Sequence, residues 1–171
     1  MRKLLGAVLI LLASVYGAYL LLLRQRERRK DILALQSSLL ILKRELEERL
    51  TPLKECFAIL QKREKRESVK EFYQQLAAGM TSLGVKRFST LWHQTVTDTL
   101  AFLGSQEAER VCSLGAVLEG AEAEPLCEAL ESVAADLGAC ARGIEEKRRE
   151  NTRLALGISF SLGALFIIML I

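Results

Sequence analysis

The chain opens and closes on apolar runs, and between them the hydrophobic positions recur at helical intervals. Residues 4–23 and 154–171 contain no charged side chain. Twenty helical residues rise ~30 Å, the thickness of a bilayer's hydrocarbon core, and the eighteen of the second run rise ~27 Å. Both runs read as transmembrane helices enclosing a polar middle, residues 24–153. That middle has few β-branched runs and no Asn-Gly or Asp-Gly turn, and Leu, Ala, Glu, Lys and Arg dominate it. The pattern predicts an all-α fold: a cytosolic helical bundle of about six helices flanked by N- and C-terminal transmembrane helices. A middle of about 130 residues is large enough for one domain with its own core.

The first cytosolic helix continues directly from the first apolar run. Ile32, Leu35, Leu39, Leu42 and Leu46 alternate at spacings of three and four, a heptad stripe, and Leu33, Leu40 and Ile41 widen it into a core-facing surface. The helix should stop near Arg49, with Thr51 as the next N-cap and Pro52 as first helical residue. The second helix runs to about Arg66 with Leu53, Phe57 and Leu60 on one face. Ser68 caps a third, carrying Val69, Phe72, Tyr73 and Leu76, which ends before Gly84 with Gly79 as an earlier stop. Ser89 opens a fourth with Leu91, Trp92, Val96 and Leu100, ending at Gly104 in a left-handed cap. Ser105 and Glu107 begin a fifth through Val111, Leu114 and Leu118 that Gly120 breaks. The last starts near Pro125, and Leu126, Leu130, Val133, Leu137, Cys140 and Ile144 hold a second heptad register. No breaker separates it from the second apolar run, so it reads as one rod of about 45 residues. A helix leaving the membrane and one returning to it are antiparallel. Their two seams are expected to pack together as a spine, with the shorter helices docked beside them.

Charge sets the orientation. Arg24, Arg26, Arg28, Arg29 and Lys30 follow the first run, and Lys147, Arg148, Arg149 and Arg153 precede the second. Only Arg2 and Lys3 stand on the outer side. Basic residues beside spans stay in the cytoplasm, which places the middle domain there and the termini across the membrane. A cleaved signal peptide is the competing reading of the first run, but the run is long for one and no Ala-x-Ala site follows. The net charge of +3 is accounted for by the two clusters, which set topology and attract anionic headgroups. The basic stretch 62–70 is interleaved with Glu64 and Glu67 and reads as a solvated helix face, so nucleic acid is not an expected partner.

Chemistry-bearing motifs are sparse. The cysteines, Cys56, Cys112, Cys127 and Cys140, form no Cys-x-x-Cys pair and read as small buried hydrophobes; spacing alone would also permit a Cys112–Cys127 disulfide. The single histidine, His93, falls opposite most apolar positions of its helix and reads as a surface residue. No nucleophile elbow, phosphate-cradling loop, paired-carboxylate motif or metal-ligand cluster stands out, so no catalytic, cofactor or metal site is expected. Trp92, Phe72 and Phe88 read as core. Within the apolar runs, Ala13 with Gly17 and Gly157 with Ser161 put small residues four apart, permitting close helix approach within one chain or in a homo-oligomer. The residues alone thus describe a membrane-tethered helical scaffold.

Several features in order resemble the stage III sporulation protein AB family: Lys3-Leu4-Leu5-Gly6-Ala7, Thr51-Pro52-Leu53, Leu91-Trp92, Leu114-Gly115, residues 147–151, and Leu156-Gly157 before the closing apolar run. The resemblance covers the whole chain and rests on packing, capping and membrane positions. One stretch departs: Leu118 is followed by Glu119, the glycine comes one place later as Gly120, Ala121 and Glu122 replace the family's Ser and Asp, and Leu126 stands where the family has Gln.

The resemblance implies a role in endospore formation. It implies similarity in fold to the cytoplasmic domains of the type II secretion platform protein. It further implies a non-catalytic platform in the mother-cell membrane around the forespore, linking a cytosolic secretion-type ATPase to the ring and channel proteins between the two membranes. A generic tethered scaffold and a membrane-bound enzyme built on Cys112 and His93 are the competing readings.

Overall fold

In a computed structural model the backbone is described for residues 2–49, 51–82, 87–120 and 123–170. Side chains are described for Tyr16, Leu20 and residues 23–49, 51–81, 87–120 and 125–150. Six α-helices account for nearly all of it: α1 Arg2–Arg49, α2 Leu53–Arg63, α3 Glu67–Gly79, α4 Phe88–Thr99, α5 Ser105–Gly120 and α6 Ala123–Leu170, with a 3₁₀ turn Met80–Ser82 after α3. There is no strand among the described residues. The two long helices are 48 residues each. Among the described residues no helix is long and apolar enough to cross a membrane. The spans expected over 4–23 and 154–171, with the Ala13/Gly17 and Gly157/Ser161 pairs and Arg153, fall almost wholly outside the residues whose side chains are described.

The chain divides into two units, Lys30–Ala141 and Met1–Arg29 with Arg142–Ile171. The first is the bundle. From α1 it buries Ile32, Leu35, Leu39 and Leu42; from α6, Leu130, Val133, Ala134 and Leu137. Helices α2, α3 and α4 contribute an aromatic cluster to the same core: Phe57, Phe72, Tyr73, Phe88 and Trp92. Phe72 meets Trp92 edge-on at 5.2 Å and Tyr73 at 5.0 Å, while Phe57 stacks on Phe88 at 6.3 Å. Such pairs add ~1 kcal/mol each beyond the area they bury.

Helix order is fixed by a few side-chain contacts. At the α1–α2 corner the Thr51 N–H donates to the Glu45 carbonyl, 3.2 Å. At the other end of α2, Arg66 Nε donates to Asp31 Oδ1 at 2.6 Å, so α2 runs back along α1. The Tyr73 and Ser38 hydroxyls then pair at 2.7 Å inside the core. Asp31 and Ser38 are seven apart on α1, Arg66 and Tyr73 seven apart at α3, so α3 runs parallel to α1. Helix α4 turns back on α3, and α5 on α4. Trp92 Nε1 donates to the Val111 carbonyl at 2.7 Å. Gly115 lets α5 approach, since a Cβ there would sit 2.8 Å from Trp92 Cδ1. Finally α5 meets α6 through Cys140 with Glu107 at 2.9 Å and through the Arg110–Asp136 ion pair.

Several cap assignments differ from expectation. Pro52, not Thr51, is the N-cap of α2, with ψ 139° and no side-chain bond to the helix; the Thr51 carbonyl instead accepts from Cys56 Sγ. Helix α2 ends at Arg63 because Glu64 takes extended ψ, 134°. Helix α3 is capped at Arg66, placing Ser68 inside its first turn, and it ends at Gly79. Helix α4 begins at Phe88, whose ring is needed in the core. It ends at Thr99 with Leu100 as C-cap, so Gly104 leads into α5 rather than closing α4. Helix α6 starts two residues before Pro125, which falls in its first turn, where proline's missing N–H costs nothing.

Candidate functional site

No reactive centre is assembled among the described residues; the built feature is the pairing of the two long helices. Within the bundle, Lys43 Nζ of α1 donates to Glu131 Oε2 of α6 at 2.6 Å. A Cβ on Gly138 would meet the Gln36 side chain at 2.6 Å, so α1 and α6 are in close contact there. A step of seven up α1, from Gln36 to Lys43, matches a step of seven down α6, from Gly138 to Glu131. That is an antiparallel heptad register. A larger residue at 138 would make only the mobile end of the Gln36 side chain shift. The Lys43–Glu131 bond raises the lysine pKa and lowers the carboxylate's, the hydrogen bond being the main cause in each case.

The seam positions distribute as follows. Ile32, Leu35, Leu39, Leu42, Leu130, Val133 and Leu137 are buried; Leu46, Leu126 and Ile144 are half-buried towards the ends of the stripes. The widening expected from Leu33 and Leu40 does not occur. They are 36% and 42% exposed, and Ile41 is half-buried, because the contact face is narrower than three apolar positions per turn. Between Leu35 and Leu39, the buried Ser38 is satisfied by Tyr73 and by the Leu35 carbonyl.

The second unit holds the basic clusters apart from Lys30, the first residue of the bundle. Glu145 gathers three arginines: Arg148 Nη2 at 3.0 Å, Arg149 Nε at 3.5 Å and, from α1, Arg29 Nε at 3.7 Å. The Arg148 hydrogen bond is the chief reason that its carboxyl sits below the usual range. Arg24, Arg26, Lys30, Lys147 and Arg149 are exposed; Arg28, Arg29 and Arg148 are half-buried. Glu145 thus separates like charges that would otherwise repel across two helices.

The residues weighed for chemistry are apart. All four cysteines are free thiols. Burial pushes Cys56 up to about 11 and raises Cys112 and Cys127, the opposite of a reactive thiol's environment. His93 is exposed, and no hydrogen bond joins it to Cys112. Among the described residues no group of His, Cys, Asp or Glu is placed to hold a metal ion. Glu119, on the stretch that departs from the family pattern, accepts the Ser89 N–H at 3.1 Å at the start of α4, and hydrogen bonding to the Ser89 side chain, then to its backbone, lowers its pKa. The neighbouring Ala121 and Glu122 lie outside the described residues.

Sequence reasoning missed Lys43, Glu131, Gln36, Gly138, Glu119 and Glu145. For Lys43 and Glu131 a signal existed: each directly follows a seam leucine, Leu42 or Leu130, the flank where paired helices carry complementary charge. Glu119 and Gln36 gave none, because their partners lie on other helices.

A family model described as stage III sporulation protein AB matches residues 3–171. Comparison with curated proteins and with solved structures gives no match.

Proposed function

The chain belongs to the stage III sporulation protein AB family, which ties it to sporulation, and from that premise we propose that it is a non-catalytic, membrane-anchored platform. In this reading it works within the channel complex between mother cell and forespore. Residues 4–23 and 154–171 anchor it in the mother-cell membrane, and the bundle lies in the cytoplasm. There it holds a secretion-type ATPase against the membrane ring components, by protein contacts and without a cofactor.

One observation carries the reading: α1 and α6 run antiparallel in heptad register through the bundle. Residues 30 and 141, where the bundle's chain begins and ends, therefore lie at the same end of the bundle, as a domain hung from two anchors requires. The basic residues after the first apolar run and before the second agree, since both favour a cytoplasmic middle. Buried thiols with raised pKa and an exposed, unengaged His93 also fit a binding role better than an enzyme.

Copurification from sporulating cells, with partners identified by mass spectrometry, tests the platform role. An ATPase and ring components should be recovered, and their absence from a complex that still contains the chain would defeat it. Deleting the gene should arrest development after engulfment. A double His93→Ala, Cys112→Ala variant should still sporulate; loss of spores with the protein stably present would favour the enzyme reading.

A further inference from the structure

Within the bundle, helices α1 and α6 leave one side of their contact uncovered. Leu33 and Leu40 each stand three residues before a residue that touches α6, Gln36 or Lys43; Ala135 and Glu128 each stand three before one that touches α1, Gly138 or Glu131. All four are exposed. The residues three after the same contacts, Leu39, Leu46, Ala141 and Ala134, are buried or half-buried. Three residues turn a helix by ~300°, so the two sets lie on opposite sides of the contact line, one towards the core and one away from it.

Arg44 and Ala139, one place after Lys43 and Gly138, are exposed beside the outer set. The uncovered face thus offers two leucines on α1, two alanines on α6, and one unlike charge on each helix. In the register set by Gln36–Gly138 and Lys43–Glu131, Ala135 is one helical step from the level of Leu40. Ala139 is two steps from Leu33, and Glu128 two steps, ~3 Å, from Arg44. Arg44 has only the exposed Glu48 nearby, at 3.9 Å. Glu128 has no ion-pair partner among the described residues.

We infer that this face pairs with the same face of a second copy, about a two-fold axis parallel to α1 and α6. That axis preserves level and exchanges sides, so α1 of each copy lies antiparallel on α6 of the other. Leu40 then meets Ala135 and Leu33 meets Ala139, large against small, and Arg44 reaches Glu128 twice by symmetry. An axis across the helices would lay α1 on α1, and matching Leu33 to Leu40 would set Arg44 against Lys30 of the second copy, like charges in both halves. Beyond Leu33 and Ala139 the next exposed residues, Lys30 and Arg142, are both basic, which ends the contact there. From Leu33 to Arg44 the face is ~17 Å long, and two helices are ~20 Å across, roughly 340 Å² per copy. A stable dimer covers about 800 Å² on each side, so this pairing is reversible and fills where copies are crowded. It involves only the bundle and stands or falls apart from the membrane anchoring.

The full-length chain in mild detergent, with the photo-cross-linker p-benzoylphenylalanine replacing Leu40, tests this. Illumination should give a covalent dimer whose cross-link falls on α6 near Ala135. The same probe replacing Thr97, exposed on α4, should give none. Arg44→Glu should lower the dimer yield about fivefold, the upper worth of one exposed ion pair. Adding Glu128→Arg should restore it, which also shows that the single variant was folded. A dimer linked through α1 of both copies overturns the inference, as does a yield indifferent to Arg44→Glu or equal yields from positions 40 and 97. Absence of any dimer with the probe incorporated overturns it as well. In sporulating cells, an adduct of position 40 with a different protein in place of the dimer overturns it and assigns the face to that partner.

Discussion

Substituting Gly115 by alanine puts one methyl group where α5 crosses Trp92. The new Cβ would lie 2.8 Å from Trp92 Cδ1 and 2.9 Å from its Cβ and Cγ. Trp92 has no room to yield: it is fully buried, bonded through Nε1 to the Val111 carbonyl, and in contact with Phe57, Phe72 and Phe88. Its Cβ is fixed to the α4 backbone, so relief requires one helix to move from the other. Overpacking of this kind costs ~3 kcal/mol at the upper end of its usual range. Alanine returns ~1 kcal/mol of helix propensity over glycine, which leaves a net loss of ~2 kcal/mol. For a chain of this length that lowers the melting midpoint by roughly 4–8 °C. The same substitution at Gly143, in α6, meets nothing within 4 Å; it should keep the propensity gain and raise the midpoint by a few degrees. Trp92 is the only tryptophan, so its fluorescence, followed during heating of the full-length protein in detergent, reads out the site itself. A Gly115→Ala variant melting at or above the parent would refute the close α4–α5 approach.

Other consequences follow from the same contacts. Leu39→Asp or Leu137→Asp should cost ~3 kcal/mol or more by burying an unpaired charge, whereas Leu40→Asp, on the exposed side of α1, should change the melting midpoint little; equal losses at 39 and 40 would contradict the narrow seam. Thr51→Ala should shift stability by less than ~0.5 kcal/mol, since its side chain caps no helix, and a loss of 1 kcal/mol or more in a denaturant titration would restore the capping role. Glu131 and Glu145 both have carboxyl pKa values lowered by hydrogen bonds, from Lys43 and Arg148. A pKa depressed in the folded chain contributes stability that is present above the ordinary carboxylate value, ~4.3, and is lost as the pH falls through the lowered one. The melting midpoint should therefore hold from pH 7 to about 5 and decline below that, with Glu131→Gln making the decline shallower; a midpoint rising from pH 5 to 3 would contradict the pairing.

The helices and most of the core were legible in the sequence because they rest on local periodicity. The stripe Ile32, Leu35, Leu39, Leu42 could be read directly, and so could Leu130, Val133 and Leu137. Helix starts were less legible. Thr51, Ser68 and Ser89 are good capping residues, yet the caps are Pro52, Arg66 and Arg87, all with extended ψ and no side-chain bond to the helix. Where the chain must turn is set by packing, such as Phe88 entering the aromatic cluster or Arg66 reaching Asp31, and local capping preference of ~1 kcal/mol yields to it. Glu119 caps α4 from thirty residues away, which no window along the chain can see. The register of α1 on α6 was likewise hidden: two heptad stripes say that the helices can pair, and only Lys43–Glu131 and Gln36–Gly138 say at which step.

Helix α1 is geared on two sides at once. Towards α3 its seven-residue stride carries Asp31 and Ser38 onto Arg66 and Tyr73; towards α6 the same stride carries Gln36 and Lys43 onto Gly138 and Glu131. Sliding the rod by a single turn would strand the Tyr73 hydroxyl in a dry interior and break the Lys43–Glu131 bond. Both registers would have to jump together, so within the bundle a one-turn slip of α1 loses the contacts on its two faces at the same time.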